Sequence, residues 1–479
     1  MSSFWRAPIL CKQSLAGGDQ VSPLAQGQQK PRSVTPYSEV RDQPGKEELG
    51  FLVSIAHLPL SAIISVTAAG LAVAVWRYRS TILRIRLAPT LFSGARQDWT
   101  FSHIAEIFPT VEIPAATHRT PFPEAAYQDL PVTFEFEGQA WDTDAFLENT
   151  DTAAMLVLKD GEIVHETYAG AGGRTQDWLS WSVAKSFVSA LVGIAIEEGH
   201  IHSIYDPVTD HVPALKGSAY DGVTIKQVLQ MCSGASWNED YSDWKSDINR
   251  FARTFALGGS LTDFARSLAP ARKPGMYRLY NSIDTQVLGM LVAASTGKSL
   301  AAYMQEKLWE PLGAESPARW IVDKDGVEMA FGGLTATARD YAKLGELYRN
   351  RGNWHGKQIV PEAWVDKSLA PDMPHLMPGG FALPDAPSGY GQSLGYGFQW
   401  WVLSTAPLEF CAMGVYNEFI YVDPARAITI VKLSSNRDYG VKPDERHAKE
   451  LKTIEFLRAV ARDVADAVPE VGKRTGTAG

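Results

Sequence analysis

Two of the side chains in this sequence have the types and spacing of a nucleophile and its base. Ser182 and Lys185 stand three residues apart in Ser-Val-Ala-Lys, at the start of an apolar stretch with helical periodicity. Residues three apart share a helix face, so the Lys185 amine can lie beside the Ser182 hydroxyl. As a base, Lys185 needs its pKa lowered from ~10.4 to ~7–8, which burial can impose. The alternative is a helix-capping serine followed by a solvated lysine.

A second element supplies a candidate proton donor. Tyr280 and Ser282 flank Asn281 just before a helix that we predict to begin near Asp284. A phenol and a hydroxyl at this spacing can face one cleft and pass a proton to a leaving group, although a packed loop aromatic is the alternative. The segment 295–298 repeats the Ser-x-x-Lys spacing, but its Gly marks a helix end, so we interpret that copy as chance.

The composition favours a small-molecule ligand. The 479 residues are 45% hydrophobic and carry a net charge of -9, which leaves no broad cationic surface for a polyanion. Cys11, Cys232 and Cys411 are too few and too far apart for a disulfide framework or a thiolate metal site. We therefore predict no nucleic-acid partner, no metal and no organic cofactor, and the sequence leaves the oligomeric state open.

The first 130 residues are predicted to lie outside the catalytic domain. Residues 1–48 are rich in Gly, Ser, Pro and Gln, which predicts a disordered segment. Residues 50–76 are uncharged and long enough, at ~1.5 Å per residue, to cross a hydrocarbon core of ~30 Å. We predict a single transmembrane helix there, with a buried soluble helix as the alternative. Residues 77–130 are interpreted as a linking or wrapping segment that lies on the globular part.

The charges beside the apolar stretch leave its orientation open. Arg77, Arg79, Arg84 and Arg86 follow the stretch and favour a cytoplasmic location for the catalytic domain. Analogy with membrane-tethered hydrolases of the cell envelope favours the periplasmic side. The cytoplasmic and the periplasmic location of the catalytic domain both remain as alternatives.

The secondary-structure elements that must position the site are predicted, in chain order, to be strands, then helices, then strands again. Two β-rich runs meet at Asp160-Gly161, a strong hairpin signal, and the helix after Ser182 comes next. Strand patterns return after Tyr396, and an amphipathic helix covers about 445–465. The helical patterns between them, with no clear strand among them, are 224–231, 284–296, 299–307 and 337–349.

This order predicts the fold class and its boundaries. We expect an α/β (α+β) fold with an antiparallel sheet flanked by helices and an inserted, mainly helical subdomain at about 203–335. The whole catalytic domain is predicted over 131–467, followed by a flexible tail at 468–479.

The ordered motifs resemble the serine β-lactamase and penicillin-binding-protein superfamily in its class C-like branch, and more narrowly the 6-aminohexanoate-dimer hydrolases. The resemblance runs from about 130 to 465 and implies a β-lactamase/transpeptidase-like fold. It implies hydrolysis of a linear amide or ester through an acyl-enzyme. The segments that carry it are WSVAKSFVSALVGIAIEEGHI, DPVTDHVPAL, LQMCSGASWNEDY, YNSIDTQVLG, FGGLTATARDYAKLG and YGFQWW through IYVDP.

The resemblance also implies roles for individual residues. Ser182 would be acylated, Lys185 would accept its proton, and Tyr280 would act as acid and base for the leaving group. The backbone amides of Ser182 and Val415 would bind the oxyanion. The implied supporting and substrate-contacting residues are Ser282, Tyr241 and Gly414.

Two departures bear on the substrate. Ser282 ends the tyrosine motif, and Gly414-Val415-Tyr416 replaces the Lys-Thr-Gly strand, so a β-lactam carboxylate would lose its lysine. Linear amides or esters are therefore favoured. The alternatives are β-lactamase, D,D-peptidase or esterase activity, or a non-catalytic membrane-anchored binding protein on the same fold. The aromatic residues that either line an apolar acyl pocket or belong to the core are Trp237, Trp400 and Trp401.

Overall fold

The computed structural model describes residues 60–379 and 394–467. The chain divides into two units, Met1–Leu71 and Ala72–Gly479, and the sheets and the site belong to the second. The predicted disordered segment 1–48 and the predicted tail 468–479 lie outside the described residues.

The described strands form a large sheet, a smaller sheet and two short hairpins. They are β1 (Thr110–Ile113), β2 (Thr133–Phe136), β3 (Gln139–Asp142), β4 (Thr152–Lys159), β5 (Glu162–Tyr168), β6 (Trp178–Leu179), β7 (Ala318–Ile321), β8 (Leu334–Ala336), β9 (Asn353–Trp354), β10 (Lys357–Gln358), β11 (Gly395–Tyr396), β12 (Trp401–Thr405), β13 (Leu408–Gly414), β14 (Glu418–Asp423) and β15 (Ile428–Ser434).

The helices of the described residues lie before, between and after these strands. The α-helices are Leu60–Leu87, Gln97–Ser102, Ile104–Ile107, Thr143–Asn149, Ala184–Glu197, Val208–His211, Ile225–Leu229, Asp247–Ala256, Leu261–Arg266, Ser282–Thr296, Leu300–Met304, Ala338–Arg349, Glu362–Ser368, Glu445–Ala448 and Glu450–Asp466. The shorter helical turns are Ala88–Leu91, Trp181–Val183, Pro213–Leu215, Gln305–Trp309 and Pro374–Leu376.

The large sheet is antiparallel, in the order β11-β12-β13-β14-β15-β4-β5. Asp160 and Gly161 join β4 to β5 with positive φ angles of 55° and 82°, as a tight hairpin between twisted strands requires. β15 pairs with β4, so the last strands of the chain complete the sheet that the first hairpin begins. The predicted arrangement of early and late strands around a helical region is therefore confirmed.

The smaller sheet corrects the prediction that no strand interrupts the helical region. Its order is β1-β7-β8-β6, and β7 and β8 fall among the predicted helices. They have four and three residues, which is too short for a pattern of alternation to show in the sequence. β1 lies within the predicted linking segment and pairs with β7, so that part of the segment belongs to the folded body.

The predicted membrane span lacks support from the structure. Residues 50–59 lie outside the described residues, and from Leu60 the chain is helical to Leu87, well beyond the predicted end at Trp76. In the described ranges, no single helix combines the length and hydropathy needed to cross a bilayer. Ser282–Thr296 and Leu300–Trp309 meet that criterion only as a pair bent by 76°. Attachment through residues 50–76 stays a prediction from the sequence.

Two buried helices form the centre of the second unit. Ala184–Glu197, the serine helix, packs against Ser282–Thr296, the central helix. Both are apolar around most of their circumference, as expected for helices covered on all sides. The central helix ends at Gly297, which adopts φ 68° as its C-cap. The second Ser-x-x-Lys copy therefore spans a helix end, as interpreted from the sequence.

Candidate active site

Ser182 lies in the turn between β6 and the serine helix. The preceding residue, Trp181, has φ 44°, a left-handed conformation that is strained for a bulky side chain. Packing enforces this conformation, because the Trp181 ring lies 5.4 Å from that of Phe101 and 5.1 Å from that of Tyr416. The turn thus places Ser182 at the start of the helix with its side chain lining a cavity.

The predicted nucleophile and base are in direct contact. Lys185 Nζ donates hydrogen bonds to Ser182 Oγ at 2.7 Å, to Ser282 Oγ at 3.1 Å and to the Phe331 carbonyl at 2.9 Å. The Lys185 side chain is 1% exposed. Burial lowers its pKa to about 7, partly opposed by the negative charge of Glu239. An amine with this pKa is substantially neutral at neutral pH and can accept a proton.

Tyr280 completes the group of residues predicted from the sequence. Tyr280 lines the same cavity as Ser182. Its ring stacks on Trp401 at 5.3 Å, and Lys185 Nζ lies 5.2 Å from the ring centroid. Burial, reinforced by the neighbouring Tyr396 and Glu239, raises the pKa of Tyr280 well above its usual value. The phenol therefore keeps its proton and can donate it.

Glu239 is a site residue that the sequence reasoning did not identify. Its carboxylate accepts hydrogen bonds from Ser282 Oγ at 2.6 Å and from the Ser282 amide at 3.0 Å. The indole nitrogen of Trp237 also donates to it, at 2.6 Å. Lys185, Ser282 and Glu239 thus form a chain of hydrogen bonds that connects the amine to a negative charge. This charge stabilises the ammonium that forms when Lys185 takes up a proton.

The C-terminal end of β13, at Gly414, lies against the Ser182 turn. A Cβ placed on Gly414 would come within 2.9 Å of the Ser180 carbonyl oxygen and 3.2 Å of the Ser182 amide nitrogen. Only glycine allows this approach without a shift of the backbone. Val415 follows at the strand end and lines the same cavity as Ser182. The two amides predicted to bind an oxyanion therefore belong to segments in close contact.

A cavity of about 210 Å³ joins these groups. Ser182, Tyr280, Glu239 and Tyr241 line it, and the Tyr241 hydroxyl lies 3.4 Å from a Glu239 carboxylate oxygen. Asn249 holds the loop that carries Tyr241 by donating to the Tyr241 carbonyl at 3.0 Å. In the described residues, no cluster of three or more His, Cys, Asp or Glu side chains could hold a metal ion.

The aromatic residues predicted for the acyl pocket separate in the structure. Trp237 and Trp401 line the cavity. Trp400, a candidate for contact with substrate, does not line the cavity and is a core residue with no exposed surface. Its ring packs 4.5 Å from that of Tyr348 and 5.3 Å from that of Phe410. Adjacent residues of an extended segment point to opposite faces, which explains why only one of the pair reaches the site.

Comparison with known proteins identifies the family. The beta-lactamase family model matches residues 143–454. A 6-aminohexanoate-dimer hydrolase of Paenarthrobacter ureafaciens is 32% identical over 368 residues, which is 75% of this chain and 90% of that protein. The chain belongs to the beta-lactamase family. This beta-lactamase family member is accordingly a serine hydrolase of the β-lactamase and penicillin-binding-protein superfamily, as the sequence motifs predicted.

Two further proteins are similar to this family member at lower sequence identity. A beta-lactamase of Escherichia coli strain K12 is 28% identical over 131 residues, 27% of this chain and 32% of that one. The structure of a proposed 6-aminohexanoate-dimer hydrolase from Bacillus anthracis superposes with a TM-score of 0.66 at 24% identity, covering 78% of this chain and 95% of that one. This likeness confirms the predicted fold of this beta-lactamase family member.

Proposed function

We propose that this chain hydrolyses a linear amide or ester through an acyl-enzyme on Ser182. The observation that carries the proposal is the contact of 2.7 Å between Lys185 Nζ and Ser182 Oγ, with the pKa of Lys185 lowered to about 7. A neutral amine at this distance takes the serine proton while the hydroxyl attacks a carbonyl carbon.

The remaining groups serve the later stages of acylation. The carbonyl oxygen becomes an oxyanion, which the Ser182 and Val415 amides bind. When the tetrahedral species collapses, the bond to the leaving group breaks and Tyr280 gives that group its proton. The Lys185 ammonium then returns a proton to the Tyr280 phenolate. Both residues are neutral again when water attacks the acyl-enzyme.

Two observations favour linear substrates over β-lactams. The relative from Paenarthrobacter ureafaciens, which aligns with 75% of this chain, is a 6-aminohexanoate-dimer hydrolase, named for a linear amide. The strand segment 414–416 offers Gly-Val-Tyr beside Ser182 and so has no lysine where the Lys-Thr-Gly strand of the superfamily carries one. The cations that line the cavity, Arg278 and Lys442, lie on other segments. We infer that the reaction resembles that of the dimer hydrolases. The parts of the site that bind the acyl group and the leaving group would determine which amide or ester is cleaved.

A substrate panel tests this proposal on the full 479-residue chain. We expect turnover of a short-chain p-nitrophenyl ester and of the matching p-nitroanilide. For a chromogenic cephalosporin we expect kcat/KM to be lower by a factor of about 100 or more, which is comparable to the effect of losing one well-placed charge contact. Preference for the cephalosporin would replace the proposal by a β-lactamase function. Absence of turnover with all three on folded protein would favour a binding protein.

Replacing Tyr280 with phenylalanine separates amides from activated esters. An amine leaves only with a proton, whereas p-nitrophenolate leaves without one. We therefore expect Tyr280→Phe to lower kcat/KM for the anilide by roughly 10²–10⁴-fold and to affect the p-nitrophenyl ester much less. Tyr277→Phe is the matched control, because Tyr277 is exposed in the same loop. Equal losses for both substrates would mean that Tyr280 does not protonate the leaving group.

A further inference from the structure

A second cavity, of about 60 Å³, also reaches the nucleophile. It shares Ser182 and Tyr241 with the larger cavity, so the two cavities adjoin at these residues. Tyr280 and Glu239 line the larger cavity and are absent from the wall of the smaller one, as the described residues define it. The site therefore has two compartments, and the proton donor for the leaving group faces only one of them.

The wall of the smaller cavity is apolar. Among the described residues that form it, none is charged, and side-chain polar atoms come only from Ser182, Trp181 and Tyr241. An ammonium or carboxylate placed there would lose its hydration without gaining an ionic partner, which is unfavourable by several kcal/mol in general. Its aromatic and aliphatic wall includes Leu91, Phe92, Phe251, Ala252, Phe255 and Phe331.

Part of this wall comes from a segment outside the matched family region. Leu91, Phe92 and Phe108 precede residue 143, where the family match begins. They are fixed in place, since the Phe92 ring lies 5.9 Å from that of Trp181 and the Phe108 ring 5.7 Å from that of Phe255. The segment interpreted from the sequence as linking or wrapping thus contributes a wall to the compartment beside Ser182.

We propose that the 60 Å³ cavity binds the acyl group of the substrate and selects an uncharged chain of a few carbons. This inference rests on the proposed function, because Tyr280 assigns the leaving group to the larger cavity and leaves the smaller one for the acyl group. At about 10–15 Å³ per water-sized position, the volume holds roughly four to six such positions, which corresponds to a short aliphatic chain. A linear dimer whose acyl group ends in an ammonium is therefore a poor substrate.

A series of p-nitrophenyl esters from acetate to decanoate tests the proposal on the full chain. We expect kcat/KM to rise about fourfold per added methylene up to a chain of about four to six carbons, the ratio that about 0.8 kcal/mol per buried methylene gives, and then to fall. The 3-aminopropanoate ester, which has an ammonium in place of the terminal methyl of butanoate, is expected to be about tenfold worse than butanoate or poorer.

Two variants change the cavity in opposite directions. Ala252 is half-buried in the cavity wall, and the larger side chain of Ala252→Phe would fill part of the cavity. We expect this variant to have a kcat/KM about tenfold lower for the hexanoate ester and little changed for the acetate ester. Phe92→Ala widens the wall and is expected to move the optimum to longer chains. Ala302→Phe, on an exposed helix position, is the control and leaves the series unchanged. Thermal unfolding of each variant checks its fold.

The outcomes separate this inference from the proposed function. If kcat/KM does not depend on chain length or terminal charge, in the parent chain and in both variants, the proposed acyl pocket is wrong. The proposed hydrolase function would still stand. Absence of turnover with every ester would overturn the proposed function and this inference together.

Discussion

Replacing Ser182 with alanine is expected to reduce turnover of every ester and amide by roughly 10⁴–10⁶-fold, towards the uncatalysed rate. The change removes the oxygen that lies 2.7 Å from Lys185 Nζ at the mouth of the cavity. The fold should survive, because alanine removes one atom from a side chain that faces the cavity. Steady-state kcat/KM of the purified full chain, with thermal unfolding in parallel, measures both effects.

Ser186→Ala is the matched control on the same helix. Ser186 is buried, does not line either cavity, and donates a hydrogen bond to the Gln399 carbonyl at 2.7 Å. Losing that bond should cost about 1 kcal/mol of unfolding free energy and leave kcat/KM within a few-fold of the parent. Activity in Ser182→Ala comparable to that of this control would show that another residue attacks the substrate.

The second large effect concerns Lys185. Its replacement with methionine keeps the buried volume and removes the base, so we expect kcat/KM to fall by roughly 10²–10⁴-fold. In the parent chain the neutral amine is the active form, and burial lowers its pKa to about 7. Activity should therefore rise with pH through about 7 as Lys185 loses its proton. A pH profile of kcat/KM with a p-nitrophenyl ester measures this limb.

Glu239→Gln tests the cause of the pH dependence. The negative charge of Glu239 raises the pKa of Lys185, in opposition to burial. Removing this charge should lower the pKa further, so the acidic limb of the profile moves to lower pH. The glutamine oxygen can still accept the hydrogen bond from the Ser282 amide, and its NH2 group, in the place of the other carboxylate oxygen, can donate to Ser282 Oγ. A limb that moves to higher pH, or Lys185→Met with parental activity, would remove Lys185 from the role of base.

The parts of the site that were predictable are those encoded locally. Ser182 and Lys185 are three residues apart in one turn, so their contact follows from helix geometry. The hairpin at Asp160-Gly161 is likewise a local signal, and Gly297 marks a helix end. Family motifs then gave Tyr280, whose place in the same cavity as Ser182 depends on the fold.

The rest depends on tertiary contacts that leave no periodic signal. Glu239 meets Ser282 across 43 residues of sequence, although it lies two positions before the predicted Tyr241. A carboxylate so close to a candidate site residue was the one hint that the sequence offered. Only the fold shows that the Glu239 side chain contacts Ser282. β7 and β8 were too short to be recognised. The choice between Trp400 and Trp401 required knowing which face of the extended segment meets the cavity.

The most direct test of the account is the intact mass of the chain after reaction with an alkyl fluorophosphonate. Attack of Ser182 Oγ on phosphorus with loss of fluoride should add one phosphonyl group, and peptide mapping should place it on Ser182. Ser182→Ala should gain no mass under the same conditions. A label on another residue, or no label on folded protein that hydrolyses esters, would contradict an acyl-enzyme on Ser182.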